Sequence, residues 1–162
     1  MATAHTRDRD AERLRVAWEA HHARLWRAVL AWSGDRDIAS DAVAEAFAQA
    51  SRRGDAIDDI GRWVWRAAFR IAGGLLSRRG AAVDAGTHDP ADTDTLPDEV
   101  VALLDALDRL PERDRAVVVL AHVGGWDATA IASLTGSSAG AVRVRLHRAR
   151  RRLRRDLEER DA

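Results

Sequence analysis

Residues 137–155 read SSAGAVRVRLHRARRRLRR, eight arginines and no carboxylate, in a chain of 162 residues that carries 26 basic and 26 acidic side chains. A guanidinium is always charged and planar, and it can give two parallel N–H bonds to a phosphate or to the O6/N7 edge of guanine. At about 100° per residue, Val142, Leu146, Ala149 and Leu153 share one narrow helical arc. Arg143, Val144, His147, Arg151 and Arg154 take the opposite arc, with Arg148, Arg150 and Arg155 on the flanks. A solvated surface helix would interleave acids with these arginines at four-residue spacing, and 138–155 holds none. The pattern is that of a helix built to meet a polyanion. Arginines at 150–155 suit phosphates, whereas side chains in the first turns can reach base edges. The duplex-facing candidates are Ser138, Ala139, Gly140, Arg143, Val144, His147, Arg148 and Arg151, and Arg143 is the one placed to read a guanine.

Such a helix needs a mount. A short helix over 127–134, a turn over 135–137 containing Gly136, and Ser138 as N-cap precede it, which is the helix-turn-helix arrangement. Upstream, 97–110 places Val100, Leu103, Leu104 and Leu107 at helical steps, and a helix starting at Pro111 ends on Gly124 and Gly125. The triplet Val117, Val118, Val119 favours a strand by propensity alone; Leu120 and Val123 continue the helical spacing, so it is assigned to the helix.

The first half is helical too. Leu14, Trp18, His21, Leu25, Val29 and Trp32 form one face of a helix over about 10–32, with Trp18 and Trp32 expected in the core. A second helix, capped by Asp37, runs to Gly54 with Ile38, Val43, Phe47 and Ala50 inward. A third, over about 59–79, turns Ile60, Val64, Ala67, Ala68, Ile71 and Leu75 inward, with a break expected at Gly73 and Gly74. Trp63 and Trp65 cannot share a face, and Trp65 is expected outward, either stacking on an unpaired base beside Arg62, Arg66 and Arg70 or packing at the module edge. Residues 80–97, GAAVDAGTHDPADTDTLP, hold four acids, no arginine and little apolar content. The expected fold class is all-α: two small helical domains, 1–79 and 98–162, joined by a flexible acidic linker at 80–97.

Several functions are excluded by what the residues cannot do. Without cysteine there is no disulfide, thiolate zinc site or thiol nucleophile. The adjacent His21 and His22 face different ways, and no HExxH, P-loop, GxGxxG or GxSxG occurs, so no cofactor, metal or catalytic residue is expected. A polar start and the lack of a run of about 20 apolar residues point to a cytoplasmic address without membrane attachment.

The segment LDALDRLPERDRAVVVLAHVGGWDATAIASLTGSSAGAVRVRLHRARRRL resembles region 4 of the extracytoplasmic-function (ECF) sigma factors of bacterial RNA polymerase. Likewise DRDIASDAVAEAFAQASRR is similar to region 2.2 of that family, and GRWVWRAAFRIAGGLLSRR resembles regions 2.3 and 2.4. The resemblance implies that 98–162 read the −35 element while resting on the β flap. It implies that Asp41, Ala44, Glu45 and Gln49 dock on the β′ clamp helices of the polymerase core. It further implies that Arg62, Trp65, Arg66, Arg70, Arg78 and Arg79 meet the −10 element of promoter DNA, with the loop over 54–61 holding a flipped base. An anti-sigma factor is the implied regulator. The chain departs from the family pattern at Ala44, where Gln is usual, and at Arg70 and Gly74, where Asn and Asp are usual. Ala141 and Val144 replace a Thr and a Ser of the recognition helix, which gives a methyl-rich surface suited to thymine.

Two other readings stay open on the residues alone. A helix-turn-helix regulator acting without polymerase would bind duplex DNA tightly by itself. A helical interaction protein would use the cationic helix on an acidic partner, with weak dependence of nucleic-acid affinity on salt.

Overall fold

The computed structural model describes residues 2–84 and 96–161, with side chains over 7–81 and 96–159. Seven α-helices and one 3₁₀ turn make up the regular structure of the described residues: α1 (Ala2–Ser33), α2 (Arg36–Arg53), the turn Gly54–Ala56, α3 (Ile60–Asp84), α4 (Asp98–Asp108), α5 (Glu112–His122), α6 (Ala128–Thr135) and α7 (Ala139–Asp161). The expected all-α architecture is what the chain adopts. The triple valine lies inside α5, because Val117, Val118, Val119 and Leu120 are all buried there and tertiary packing overrides β-propensity.

Helices α1, α2 and α3 form the first bundle. Its core is lined by Leu25, Ala28, Val29, Trp32, Ile38, Ala42, Val43, Ala46, Phe47, Val64, Ala67 and Ala68. The many alanines of α2 leave no bulk between helix axes, so α1 and α3 approach closely on either side. Gly34 takes φ 69° and donates to the Leu30 carbonyl at 2.8 Å, ending α1 in a left-handed turn open to few other residues. The cap of α2 is Asp35, not Asp37: the Asp35 carboxylate accepts from the Ile38 N–H at 2.9 Å, and Asp37 lies in the first turn.

The expected break at Gly73 and Gly74 does not occur, and α3 continues to Asp84. Two mid-helix glycines cost about 1 kcal/mol each relative to alanine. Ala72 is buried among them, and Ile71, Leu75 and Leu76 pack against the core on either side, which holds the helix together. Most of the expected linker, residues 85–95, lies outside the described residues.

Helices α4 to α7 form the second bundle, with α5, α6 and α7 mutually packed. Pro97 and Pro111 stand at the N-caps of α4 and α5, where a fixed φ and a missing N–H cost nothing. The two bundles are not separate in space. One cluster of buried side chains runs through both, from Ala17 and Leu25 to Val142 and Ala149. Trp65 of α3 and Trp126 of the α5–α6 turn meet edge to face, with ring centroids 5.6 Å apart and planes at 79°.

Two tryptophans lie where the periodicity does not put them. Trp65 has no exposed surface. It lies at the junction of the two bundles, with its indole N–H toward His21 of α1 and Trp126 of the second bundle against its ring. Trp18 is 42% exposed instead of buried. One edge of its ring packs on Phe47 at 4.8 Å and its face stacks on His22 at 4.6 Å, while the rest opens onto a shallow groove between α1 and α2.

Candidate nucleic-acid interface

The mount of the arginine helix is built from local hydrogen bonds. The Asp127 carboxylate accepts from the Ala130 N–H at 2.8 Å and starts α6. Gly136, at φ 65°, closes it by donating to the Ala132 carbonyl. The Ser138 hydroxyl then accepts from the Ala141 N–H at 3.1 Å at the head of α7. Val142 and Ala149 are fully buried and Leu146 is 9% exposed, so one side of α7 is sunk into α5 and α6. Everything on the opposite side faces solvent: Arg143, Val144, His147, Arg148, Arg151 and Arg154, with Ser138 and Gly140 exposed at the first turn and Ala139 half-buried. Val144 is 50% exposed, an apolar side chain in the middle of a cationic face.

Not all the arginines point outward with equal freedom. Arg150 donates from Nε to His122 Nε2 at 3.0 Å, and Arg152 stands 4.0 Å from the Asp114 carboxylate, so both lean back onto α5. Arg113 and Arg145 line a cleft beside the turn at Gly136 and Ser137, together with Glu112. Neither was a candidate from the sequence. Arg145 sits on a flank of α7, and Arg113 reaches the turn only through the packing of α5, which periodicity cannot show.

The candidates of the first bundle are arranged on two adjoining faces. On α2, Asp41 and Ala44 are exposed. Glu45 accepts from Gln49 Nε2 and from Arg52, each at 2.9 Å. The hydrogen bond from Gln49, and then the one from Arg52, hold the Glu45 carboxyl below the ordinary carboxylate range. Gln49 Oε1 in turn faces Arg70 at 3.4 Å, which ties α2 to α3. The Trp18 groove, lined also by His22, Trp26, Ser40 and Val43, borders Ala44, and the Trp26 indole donates to the Ser40 hydroxyl at 3.0 Å. These two aromatics beside the acidic face were missed, because Trp18 was read as core.

On α3, Arg62 and Arg78 are exposed, and Arg79 is paired with Asp35. Arg66 donates to the Ser133 carbonyl of α6. Trp65 is buried, so the expectation that it stands outward for a base is corrected: the surface it would offer is taken by Trp126. Its indole N–H points to His21 Nδ1 at 3.3 Å, which requires that nitrogen to be unprotonated. Burial first, and then the neighbouring Arg24, lower the His21 pKa, with Asp59 opposing them. The loop before α3 is pinned by Arg13, which donates to the carbonyls of Ile57 and Asp58. Among the described residues no cluster of His, Asp or Glu could hold a metal ion, and no helix is long and apolar enough to cross a membrane.

Comparison with known proteins bears on both bundles. Residues 101–153 match the family described as Sigma-70, region 4. Over 93% of its length the chain is 34% identical to the ECF RNA polymerase sigma factor SigL of Mycobacterium tuberculosis, 92% of which is covered. It is 38% identical to the probable ECF RNA polymerase sigma factor SigI of that organism, over 85% of this chain and 53% of SigI. Among solved structures, CnrH in complex with the cytosolic domain of CnrY superimposes with a TM-score of 0.72 at 22% identity, over 95% of this chain and 97% of that one. The sigma factor RpoE of Bartonella quintana, bound to the anti-sigma factor NepR, gives a TM-score of 0.71 at 21% identity, over 91% and 96%. The last two likenesses show a shared fold across both bundles.

Proposed function

The chain belongs to the ECF sigma factors of RNA polymerase, and from that premise we propose how its surfaces divide the work of a transcription initiation factor. The observation that carries the proposal is the acid-free cationic stretch of α7 over 139–155, held outward by Val142, Leu146 and Ala149 on a helix-turn-helix mount. In this reading 98–162 form the module that reads the −35 duplex. Ser138, Ala139, Gly140, Arg143, Val144, His147, Arg148 and Arg151 enter the major groove, and Arg143 takes a guanine. Arg113 and Arg145, beside the turn, grip phosphates and fix the register.

Residues 1–79 form the module for polymerase and the −10 element. Asp41, Ala44, Glu45 and Gln49 face the β′ clamp helices, where the exposed Asp41 carboxylate and the Trp18 groove bordering Ala44 suit a partner that is basic with apolar side chains. Ala44 adds no polar group at the centre of this patch, so packing and the flanking charges supply the contact. Arg62, Arg66, Arg70, Arg78 and Arg79 meet the phosphates of the melted −10 strand, and the buried Trp65 holds the helix that carries them. The polymerase performs the catalysis, and no residue of this chain is given a catalytic role. The superimposed RpoE of Bartonella quintana is a sigma factor held by the anti-sigma factor NepR, which supports a regulator of the anti-sigma kind. The reading is tested by mixing the full chain with core polymerase on a genomic promoter library and mapping transcript starts. Starts sharing two spaced upstream motifs support it, and a chain that directs no initiation refutes it.

A further inference from the structure

We propose that Val144 reads the C5 methyl group of one pyrimidine in the −35 duplex. At that position the chain recognises a methyl group and not thymine as such, so methylation of a cytosine there strengthens binding. The inference rests on the −35 reading above and adds to it a response to chemically modified DNA.

Val144 departs from the rule that governs the rest of α7. It is 50% exposed on the outward arc, with Arg143 beside it and His147 and Arg148 one turn further on, all exposed. A β-branched residue is a poorer helix former than alanine or arginine, and its apolar surface gains nothing from water. The other large apolar side chains that stand exposed, Val16, Trp18 and Leu103, lie on α1 and α4, away from the duplex-facing set.

Direction and stiffness suit this side chain to a methyl contact. Helical side chains lean toward the N-terminus, so Val144 projects over the turn that begins at Gly140. Gly140 is exposed, and a Cβ built on it would meet no atom within 4 Å. Position 140 therefore puts no side chain between Val144 and a base edge. Valine in a helix has one dominant χ1 rotamer, so its two methyls are fixed before contact and lose little freedom in making it.

The polar groups nearby are one-sided. Residues 139–147 include no Asp, Glu, Asn or Gln, the side chains that accept from the cytosine amine or pair with adenine. The Ser138 hydroxyl already accepts from the Ala141 N–H at 3.1 Å. What the first turns offer is guanidinium for guanine and methyl for methyl. Thymine presents its C5 methyl in the major groove, and a methyl on C5 of cytosine occupies the same place. Contact with Val144 removes apolar surface of both partners from water.

The test uses holoenzyme assembled from the full chain and core polymerase, with binding measured by competition between fragments of a promoter from which it initiates. At each base pair of the −35 element, on either strand, thymine is compared with deoxyuridine and cytosine with 5-methylcytosine. One position should favour thymine over deoxyuridine by about fourfold, the worth of one buried methyl. At that same position 5-methylcytosine should exceed cytosine by the same factor, because each pair differs by one methyl and nothing else. Both ratios should fall to about one in Val144→Ala, a change that raises helix propensity at an exposed site. The Arg143-dependent preference for guanine should persist in that variant. No methyl effect at any position, or one that survives Val144→Ala, overturns the role of Val144, and a retained Arg143-dependent preference then leaves the −35 reading standing. Holoenzyme with no base preference anywhere in the element overturns the −35 reading and the methyl contact with it.

Discussion

Replacing Arg143 by alanine isolates the difference between reading a base and holding a phosphate. The side chain is exposed one turn past the Ser138 cap, on a backbone fixed by buried Val142 and Leu146, so its loss removes a contact without disturbing the helix. A bidentate arginine to guanine O6 and N7 is worth about 1–3 kcal/mol of discrimination, or about 5- to 150-fold between the right and wrong base pair. Arg143→Ala should therefore flatten the preference at one position of the −35 element by that factor and leave the other positions as they were. Arg154→Ala, exposed three turns further on, is the control. It should weaken all sequences alike and lower the slope of log affinity against log salt by about 0.9. Arg152 is a poorer control, because it already faces Asp114 at 4.0 Å. The assay is binding-site selection by the holoenzyme on randomised −35 duplexes, repeated at two salt concentrations. If the two variants give the same base profile and the same salt slope, the division of labour along α7 is wrong.

Other outcomes follow from packing and protonation. Gly124→Ala should lower stability by about 1–3 kcal/mol, read by thermal denaturation, since the new methyl meets the Leu120 carbonyl at 2.5 Å and backbone cannot step aside. Leu25→Ala, at a site with no exposure, should cost about 2–5 kcal/mol in urea titration without moving promoter preference. Ser138→Ala should cost about 0.5–2 kcal/mol by removing the cap bond to Ala141, and should weaken −35 binding by loosening the first turn of α7. His21 has its folded pKa lowered, chiefly by burial, so the unfolded chain binds the proton more tightly. Its contribution is complete above the unfolded value near pH 6.5 and is lost as pH falls from there through the lowered folded pKa. Melting temperatures taken between pH 7.5 and 5 should fall on acidification, and His21→Gln should reduce that fall.

Helical spacing in the sequence carries much of this architecture, because each bundle is defined by residues that bury one face of their own helix. Val142, Leu146 and Ala149 are inward as the 100° rule requires, and Ser138 caps α7. What was not legible depends on contacts far apart in the chain. Nothing near Trp65 in the sequence indicates that Trp126, 61 positions later, will cover it. Trp18 satisfies the apolar spacing of α1, yet only packing tells that α2 covers one edge of its ring and leaves the remainder open. The unbroken course of α3 through Gly73 and Gly74 has the same origin: local propensity speaks for a break, and burial of Ala72 with its neighbours outweighs it. Asp35 rather than Asp37 caps α2 because Gly34, with its positive φ, ends α1 one residue earlier. At the candidate interface, Arg113 and Arg145 became visible only when the turn they flank was folded.

The most direct measurement is reconstitution of initiation: core RNA polymerase of the source organism, the purified chain and a genomic promoter library, with every transcript start mapped. The account expects starts that appear only when the chain is added, share −35 and −10 motifs, and shift in −35 preference with Arg143→Ala. A chain that neither associates with core polymerase nor changes where transcription begins would contradict it.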